Sequence, residues 1–162
     1  MTQKTKEHNW RIILEHNIVA LGRERIGITG LIRRFIYSYD LDDPTIEDSW
    51  RKLCVIDGKE AILDILRPLN WGGSSSDVKD MYIHNREGFM FVYSTASRKS
   101  FDEISSLYQE VLQIKGDLPI CAIIVATYSD LHQARQVSTQ EGRELAKRLH
   151  CQFIETSVND VD

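Results

Sequence analysis

Short apolar runs alternate with helix-like segments along most of this chain. Residues 17–21 (NIVAL), 88–94 (GFMFVYS) and 120–127 (ICAIIVAT) have the length and composition of buried strands. The segments between them space their apolar side chains three and four residues apart, as amphipathic helices do. Strands that alternate with helices favour an α/β fold, in which helices cover both faces of a doubly wound, mostly parallel sheet. We predict a six-stranded sheet.

One pair of strands departs from the parallel pattern. Asp57-Gly58 separates two apolar runs by two residues, which is a strong signal for a hairpin turn. The first strand of this pair is therefore expected to be antiparallel and to lie at the edge of the sheet. Since ligands bind beyond the carboxyl ends of parallel strands, the loops that follow these strands should converge. These loops begin after Leu21, Leu66, Thr127 and Thr156.

Composition limits the functions that this chain can have. Its 162 residues, 42% of them apolar, suffice for one sizeable core. A net charge of −4 with scattered lysines and arginines gives no basic surface, so we expect no nucleic-acid partner. No apolar run reaches the roughly 18 residues that span a bilayer, which favours a cytoplasmic location. Residues 1–10 are polar and predict a mobile tail, followed by one domain over residues 11–162.

Two helix starts can be located from capping boxes, in which a serine is followed three residues later by a glutamate. Ser100 with Glu103 and Ser138 with Glu141 both have this spacing. The first pair lies near the start of a helix that we predict from residue 99 to residue 114. The second predicts a helix over the segment STQEGRELAKRLH.

The loop GRERIGIT, from Gly22 to Thr29, lies where the first strand gives way to a helix. It has the frame of a phosphate-binding loop, G-x-x-x-x-G-K-[ST], in which backbone N–H groups and a lysine hold phosphates and the hydroxyl binds Mg²⁺. The glycines and the hydroxyl are present, but Ile28 stands in place of the lysine. We call residues 22–29 the phosphate loop. The glycines and the hydroxyl of the motif are therefore present, but the lysine, whose positive charge would attract phosphate, is not.

Several longer segments, in matching order, resemble the Ras family of small GTPases from about Leu14 onward. They are DDPTIEDSWRK, VIDGKEAILDIL, EGFMFVYS, KSFDEI and FIETS. The resemblance implies the small-GTPase, P-loop NTPase fold and a site for GTP or GDP with Mg²⁺. The first of these segments resembles the loop through which the family meets protein effectors. By this resemblance, the residues expected to bind a partner are Asp43, Pro44, Thr45, Ile46, Glu47, Asp48 and Trp50.

The phosphate side of the expected site departs from the family pattern. Arg67 stands where the family has the aspartate that helps to hold Mg²⁺. Trp71 stands where the family has the glutamine that orients the attacking water. Ile28, Leu69 and Trp71 either fill the phosphate cavity with apolar side chains, or Trp71 is an exposed anchor for a partner. These changes imply that hydrolysis is lost.

The base side of the expected site is half preserved. Asp130, which reads guanine in the family, is kept, but Thr127 and Tyr128 replace the preceding asparagine and lysine. Ser157 is kept in the last loop, where the two following residues differ from the family's Ala-Lys. The residues that could still bind nucleotide are therefore Gly22, Arg25, Gly27, Thr29, Arg67, Asp130 and Ser157.

The charged and hydroxyl groups of the phosphate side have two interpretations each. Thr29 and Thr45 are either Mg²⁺ ligands, if the metal binds, or ordinary residues of a helix start and a loop. Arg25 and Arg67 are either replacement cations that bind phosphate, or partners of Glu24 in a buried ion pair that plugs the empty pocket.

The best-preserved feature is the partner-binding segment and not the chemistry. We therefore expect a pseudo-GTPase, which is a Ras-like signalling module that binds protein effectors or regulators. Its GTP hydrolysis is expected to be lost and its guanine-nucleotide binding to be weak or lost, with no catalytic residue and no cofactor. The alternative is an unconventional small GTPase with slow hydrolysis. It would bind GTP or GDP, with or without Mg²⁺, by using Arg25 or Arg67 in place of the lysine.

The end of the chain leads to two further expectations. The sequence stops at SVNDVD, where the resembling family continues into a final helix that covers one face of the sheet. It shows no Cys-a-a-X lipidation signal. We expect the final helix and a membrane anchor to be absent from this chain. An uncovered apolar face would favour association of two copies, so a homodimer is a further expectation.

Overall fold

The computed structural model describes residues 13–37 and 49–157. The strands are β1 (Leu14–Leu21), β2 (Ser49–Ile56), β3 (Lys59–Leu66), β4 (Gly88–Ser94), β5 (Cys121–Thr127) and β6 (Gln152–Glu155). The helices are α1 (Ile28–Tyr37), α2 (Ser76–His84), α3 (Arg98–Asp102), α4 (Ile104–Lys115) and α5 (Thr139–Arg148), with 3₁₀ turns at Trp71–Gly73 and His132–Ala134. None of these helices, within the described ranges, is long and apolar enough to cross a membrane.

The six strands form one sheet in the order β2-β3-β1-β4-β5-β6. All neighbouring pairs are parallel except β2 and β3, which run antiparallel. Asp57 and Gly58 join that pair with φ angles of 50° and 75°, the left-handed geometry that a two-residue hairpin turn requires. The predicted α/β fold with one antiparallel edge strand is confirmed.

Side chains of the sheet pack into two hydrophobic layers, because neighbouring residues of a strand point to opposite faces. On one face, Leu21, Phe91 and other side chains of β1, β4 and β5 pack against α2, α4 and α5. On the opposite face, Ala20 and Val92 pack against α1. The two layers fix the strand ends from both sides, so the loops at the carboxyl edge start from rigid positions.

Trp50 belongs to the second of these layers. The sequence predicts it on the partner-binding surface, but its side chain is only 3% exposed and packs with Ile32 and Ile65. A side chain this buried offers little surface to a partner, because the even-numbered residues of β2 face α1. The other predicted partner-binding residues, Asp43 to Asp48, lie outside the described residues.

The two predicted capping boxes have different outcomes. Ser138 caps α5 as expected, with reciprocal hydrogen bonds to Glu141. The box at Ser100 does not form. Ser97 caps α3 instead, and the buried Ser100 hydroxyl accepts a hydrogen bond from the backbone N–H of Ser94 at 3.0 Å. The predicted helix from residue 99 to residue 114 is divided into α3 and α4 at Glu103.

Glu141 should make stability depend on pH. Hydrogen bonds from the backbone N–H and the hydroxyl of Ser138, with help from Arg98, lower the pKa of Glu141 from 4.5 to about 2. Since the folded-state pKa is the lower one, this contribution is present above pH 4.5 and is lost as pH falls towards about 2. Glu141→Gln should therefore have a lower Tm than the unmodified protein above pH 4.5. In thermal melts the difference should shrink as pH falls from 4.5 to about 2. A Tm difference that stays constant there would contradict this assignment.

Candidate functional site

The loops that follow β1, β3, β5 and β6 meet at the carboxyl edge of the sheet, as the sequence predicts. A cavity of about 470 Å³ lies between the phosphate loop, the β3–α2 loop (residues 67–75) and α4. Its lining combines both signs of charge with an aromatic ring. The lining side chains include Arg23, Glu24, Arg67, Trp71, Glu103 and Glu110.

The backbone path of the phosphate loop requires glycine at its two glycine positions, 22 and 27. A Cβ atom on Gly22 would lie 2.4 Å from the carbonyl oxygen of Val92, where no atom fits. Gly27 has a φ of 86°, and a Cβ atom there would lie 3.3 Å from the ring of Tyr128. Ile28, in the lysine position, is buried in the layer beneath α1. It therefore brings no charge to the cavity and does not fill it.

Arg67 directly follows β3 and turns its guanidinium group towards the start of α1. Its Nη1 donates a hydrogen bond to the hydroxyl oxygen of Thr29, and the two atoms are 2.6 Å apart. The hydroxyl that the loop motif assigns to Mg²⁺ thus accepts from an arginine, which carries a full positive charge and has no lone pair for a metal. Thr45, the second predicted metal ligand, lies outside the described residues.

The charged residues of the phosphate loop do not form the buried Glu24 ion pair that the sequence offers as one alternative. Glu24 and Arg25 are both exposed in the described structure. Arg23 instead forms an ion pair with Glu103, where α3 meets α4. The sequence gives no signal for this pair, because its partners are 80 positions apart. It ties the phosphate loop to the helical side of the cavity.

Trp71 is a core residue that also forms a wall of the cavity. Its side chain is 7% exposed, and its Nε1 donates a hydrogen bond to Oε2 of Glu110 at 2.7 Å. Lys79 of α2 binds the other oxygen of Glu110 and lies 5.1 Å from the centre of the indole ring. Leu69 is 42% exposed. Of the two alternatives for Trp71, the exposed anchor does not agree with this burial, and neither Leu69 nor Ile28 fills the cavity.

Thr127 and Tyr128 connect the end of β5 to the phosphate loop. The buried hydroxyl of Thr127 donates to the backbone carbonyl of Ile26 at 2.6 Å. Tyr128 has a φ of 58°, and its carbonyl accepts from the hydroxyl of Thr95 at 2.7 Å. This backbone turn places the phenol ring against Gly27. The residues that replace asparagine and lysine therefore hold the phosphate loop in place.

Asp130 and Ser157 lie on the two loops that would form the base side. The backbone N–H of Ser129 donates to the carbonyl of Thr156 at 3.3 Å, which brings these loops together. Ser157 is buried, and Asp130 borders a second cavity of about 490 Å³ along residues 130–134. The structure thus brings together Gly22, Gly27, Thr29 and Arg67 on one side and Asp130 with Ser157 on the other, while Arg25 faces solvent.

Comparison with known proteins identifies the family. Residues 17–161 match the Ras family. The chain belongs to the Ras family. It is 44% identical, over 151 residues, to Ras-like protein 1 of Saccharomyces cerevisiae. That alignment covers 92% of this chain and 48% of the yeast protein, so the chain spans about half the length of this Ras-family relative.

Ras-family members bind GTP or GDP with Mg²⁺ and interact with protein effectors and regulators. Among the described residues, the arrangement of Thr29 and Arg67 does not favour Mg²⁺. The Thr29 hydroxyl accepts from Arg67, and a second cation beside the guanidinium would be repelled. Across residues 13–37 and 49–157, no cluster of three His, Cys, Asp or Glu side chains could hold a metal ion.

Proposed function

We propose that this Ras-family chain is a cytoplasmic signalling module that binds protein partners, and that Mg²⁺-dependent GTP hydrolysis does not set its state. The hydrogen bond from Arg67 to Thr29 carries this proposal. The guanidinium group takes one of the two acceptor lone pairs of the Thr29 hydroxyl and adds a positive charge that opposes a metal ion beside it. Without the metal, a phosphoryl group in transfer lacks the ion that neutralises its developing charge.

The position of Trp71 supports the loss of hydrolysis independently. A glutamine side chain orients an attacking water because its amide both donates and accepts hydrogen bonds. An indole has one N–H donor and no acceptor. In this chain that donor is already committed to Glu110, at 2.7 Å. Trp71 therefore has no group with which to position a water beside a phosphate.

The partner-binding surface that we propose consists of residues 43–48 and the outer edge of β2, which they precede. An edge strand offers unpaired backbone N–H and C=O groups to a strand of another protein. The segment that directly precedes β2 in the sequence carries three carboxylates, those of Asp43, Glu47 and Asp48. Complementary charge speeds association and selects partners, so basic side chains next to an extended segment suit this surface.

Nucleotide binding with and without metal tests the proposed function. Nucleotide-free protein is titrated in a calorimeter with GTP, GDP and ATP, each in Mg²⁺ and in EDTA, and GTP turnover is followed under single-turnover conditions. We expect no turnover above the buffer rate, and any nucleotide affinity to change by less than about twofold between Mg²⁺ and EDTA. GTP turnover, or an affinity that falls about a hundredfold in EDTA, would overturn the proposed function.

Arg67→Asp sharpens the same test, because it removes the guanidinium group and supplies a carboxylate that can face a metal. We expect Mg²⁺ to raise the Tm of Arg67→Asp in the presence of GDP, and to leave the Tm of the unmodified protein unchanged. Arg23→Asp is the matched control, since it removes a cation from the same cavity without touching Thr29. A Mg²⁺ effect of equal size in both variants would contradict the role given to Arg67.

A second candidate function is metal-independent binding of GTP or GDP. The placement of Arg67 on the phosphate side, and of Asp130 and Ser157 on the base side, favours it. Arg67 would then be the cation for phosphate, and Asp130 the group that reads guanine. Asp130→Asn distinguishes the two candidates in the same titrations. It abolishes the preference for guanine over adenine if nucleotide binds, and changes nothing in the first case.

A further inference from the structure

Strand β2 forms one edge of the sheet over eight residues. Ile56 and Lys59 flank the two-residue turn and are paired, so the even-numbered residues of β2 direct their backbone N–H and C=O groups to β3. The odd-numbered residues, Arg51, Leu53 and Val55 among them, direct theirs outward. No strand within the described part of the chain pairs with this outer edge.

Two of these odd-numbered residues, Leu53 and Val55, expose apolar side chains. Leu53 is 59% exposed and Val55 is 69% exposed, both on the face opposite α1. Edge strands are usually protected from pairing by a charged side chain, above all lysine. Lys52 does not protect this edge, because its ammonium group donates to the carbonyl of Phe35 and lies 4.3 Å from the centre of that ring. The edge therefore combines free hydrogen-bonding groups with uncovered apolar surface.

We propose that β2 pairs antiparallel with β2 of a second copy of this chain, about a two-fold axis at Cys54, so that self-association competes with the partner strand proposed for the same edge. This register places Leu53 of each copy opposite Val55 of the other, so the exposed apolar side chains cover one another. It also brings Arg51 of each copy next to the hairpin turn that carries Asp57 of the other copy, so opposite charges lie near one another across the interface. Within its own chain, Arg51 forms ion pairs with Glu15 and Asp64. The contact is isologous and closes at two copies.

The neighbouring registers are less favourable. A shift of two residues in one direction sets Arg51 opposite Val55 and loses the charge pair. The same shift in the other direction sets Arg51 opposite Lys59, which places like charges together. A shift by a single residue sets each odd-numbered residue opposite an even-numbered one. The even-numbered residues direct their backbone groups to β3, so no ladder of hydrogen bonds forms between the two copies. The Cys54-centred register is therefore the one that matches hydrogen bonds, apolar side chains and charge.

Light scattering and sedimentation of the full chain over a range of concentrations test this interface. We expect a dimer that Val55→Lys and Leu53→Lys each weaken about tenfold or more, because each places a charge in the apolar contact of both copies. Ile154→Lys is the matched control. Ile154 is 48% exposed and lies on β6, the opposite edge strand, so this variant should keep the dimer. Circular dichroism confirms that all three variants are folded.

Cross-linking at Cys54 tests the register. Directly opposed residues of a non-hydrogen-bonded pair have Cα atoms about 4.5 Å apart, within the range that a disulfide spans. A variant that keeps Cys54 and carries Cys121→Ser and Cys151→Ser should form a covalent dimer with copper phenanthroline, and Val55→Lys should suppress it. A chain that stays monomeric at all concentrations overturns the interface. A dimer that is lost in Ile154→Lys and kept in Val55→Lys, or a dimer that never cross-links at Cys54, overturns it as well.

Discussion

Replacing Trp71 with alanine is expected to lower the free energy of unfolding by about 3–5 kcal/mol. The indole is nearly fully buried, so its removal leaves a cavity in the layer beneath α2 and α4. It also removes the N–H donor that Glu110 accepts from at 2.7 Å, and the ring on which Lys79 lies. The measurement is denaturant unfolding of both proteins, followed by circular dichroism.

Leu69→Ala is the control for this effect. Leu69 lies two residues earlier in the same loop and is 42% exposed, so its replacement should change the free energy of unfolding by less than about 0.5 kcal/mol. Trp71→Phe separates packing from hydrogen bonding, because it keeps an aromatic ring and loses the N–H donor. If Trp71→Ala has no larger effect than Leu69→Ala, then the indole is not part of the core, and its assignment as a partner anchor returns.

Gly22→Ala is expected to lower the free energy of unfolding by about 2–3 kcal/mol. The added methyl group would lie 2.4 Å from the carbonyl oxygen of Val92, which belongs to the central strand β4. It would also lie 2.7 Å from Cδ1 of Ile26. Ile26 can adopt another rotamer, but the carbonyl can move only if the strand moves. Thermal and denaturant unfolding measure the loss.

Gly72→Ala is the matched control, because a Cβ atom at Gly72 meets nothing within 4 Å. This variant should keep the stability of the unmodified protein to within about 0.5 kcal/mol. Equal stabilities for the two alanine variants would mean that the phosphate loop shifts freely away from β4. In that case Gly22 would not set the path of the loop.

Local sequence signals predicted the strands and the hairpin well. Asp57-Gly58 requires a left-handed turn whatever surrounds it, and the uninterrupted apolar run of β4 suits a strand buried on both faces. The start of α3 was predicted less well. Ser100 has the spacing of a capping residue, but its hydroxyl is buried against β4, so Ser97 takes the capping position. Which serine caps the helix depends on which hydroxyl is buried in the tertiary structure, and the spacing of serine and glutamate in the sequence does not show this.

The candidate site shows the same division between local and long-range information. The sequence predicted which loops converge and that Arg67 and Thr29 belong to one site. It did not predict that they bond to each other, since 38 positions separate them. The pairing of Arg23 with Glu103 and the burial of Trp71 against Glu110 likewise depend on how α4 packs beside the loops. A polar side chain can form a hydrogen bond or an ion pair with any of several residues, and the packing of the helices determines which of these residues lies within reach.

Thr127 and Tyr128 also determine when the phosphate loop takes its shape. The hydroxyl of Thr127 reaches the carbonyl of Ile26 across 101 positions of sequence. As the chain leaves the ribosome from its N-terminus, β1 and α1 emerge long before β5 has been made. Contacts that close so long a stretch of chain form late in folding, because the intervening residues must first be ordered. We therefore expect the phosphate loop, although it lies near the start of the chain, to be among the last segments to reach its final conformation.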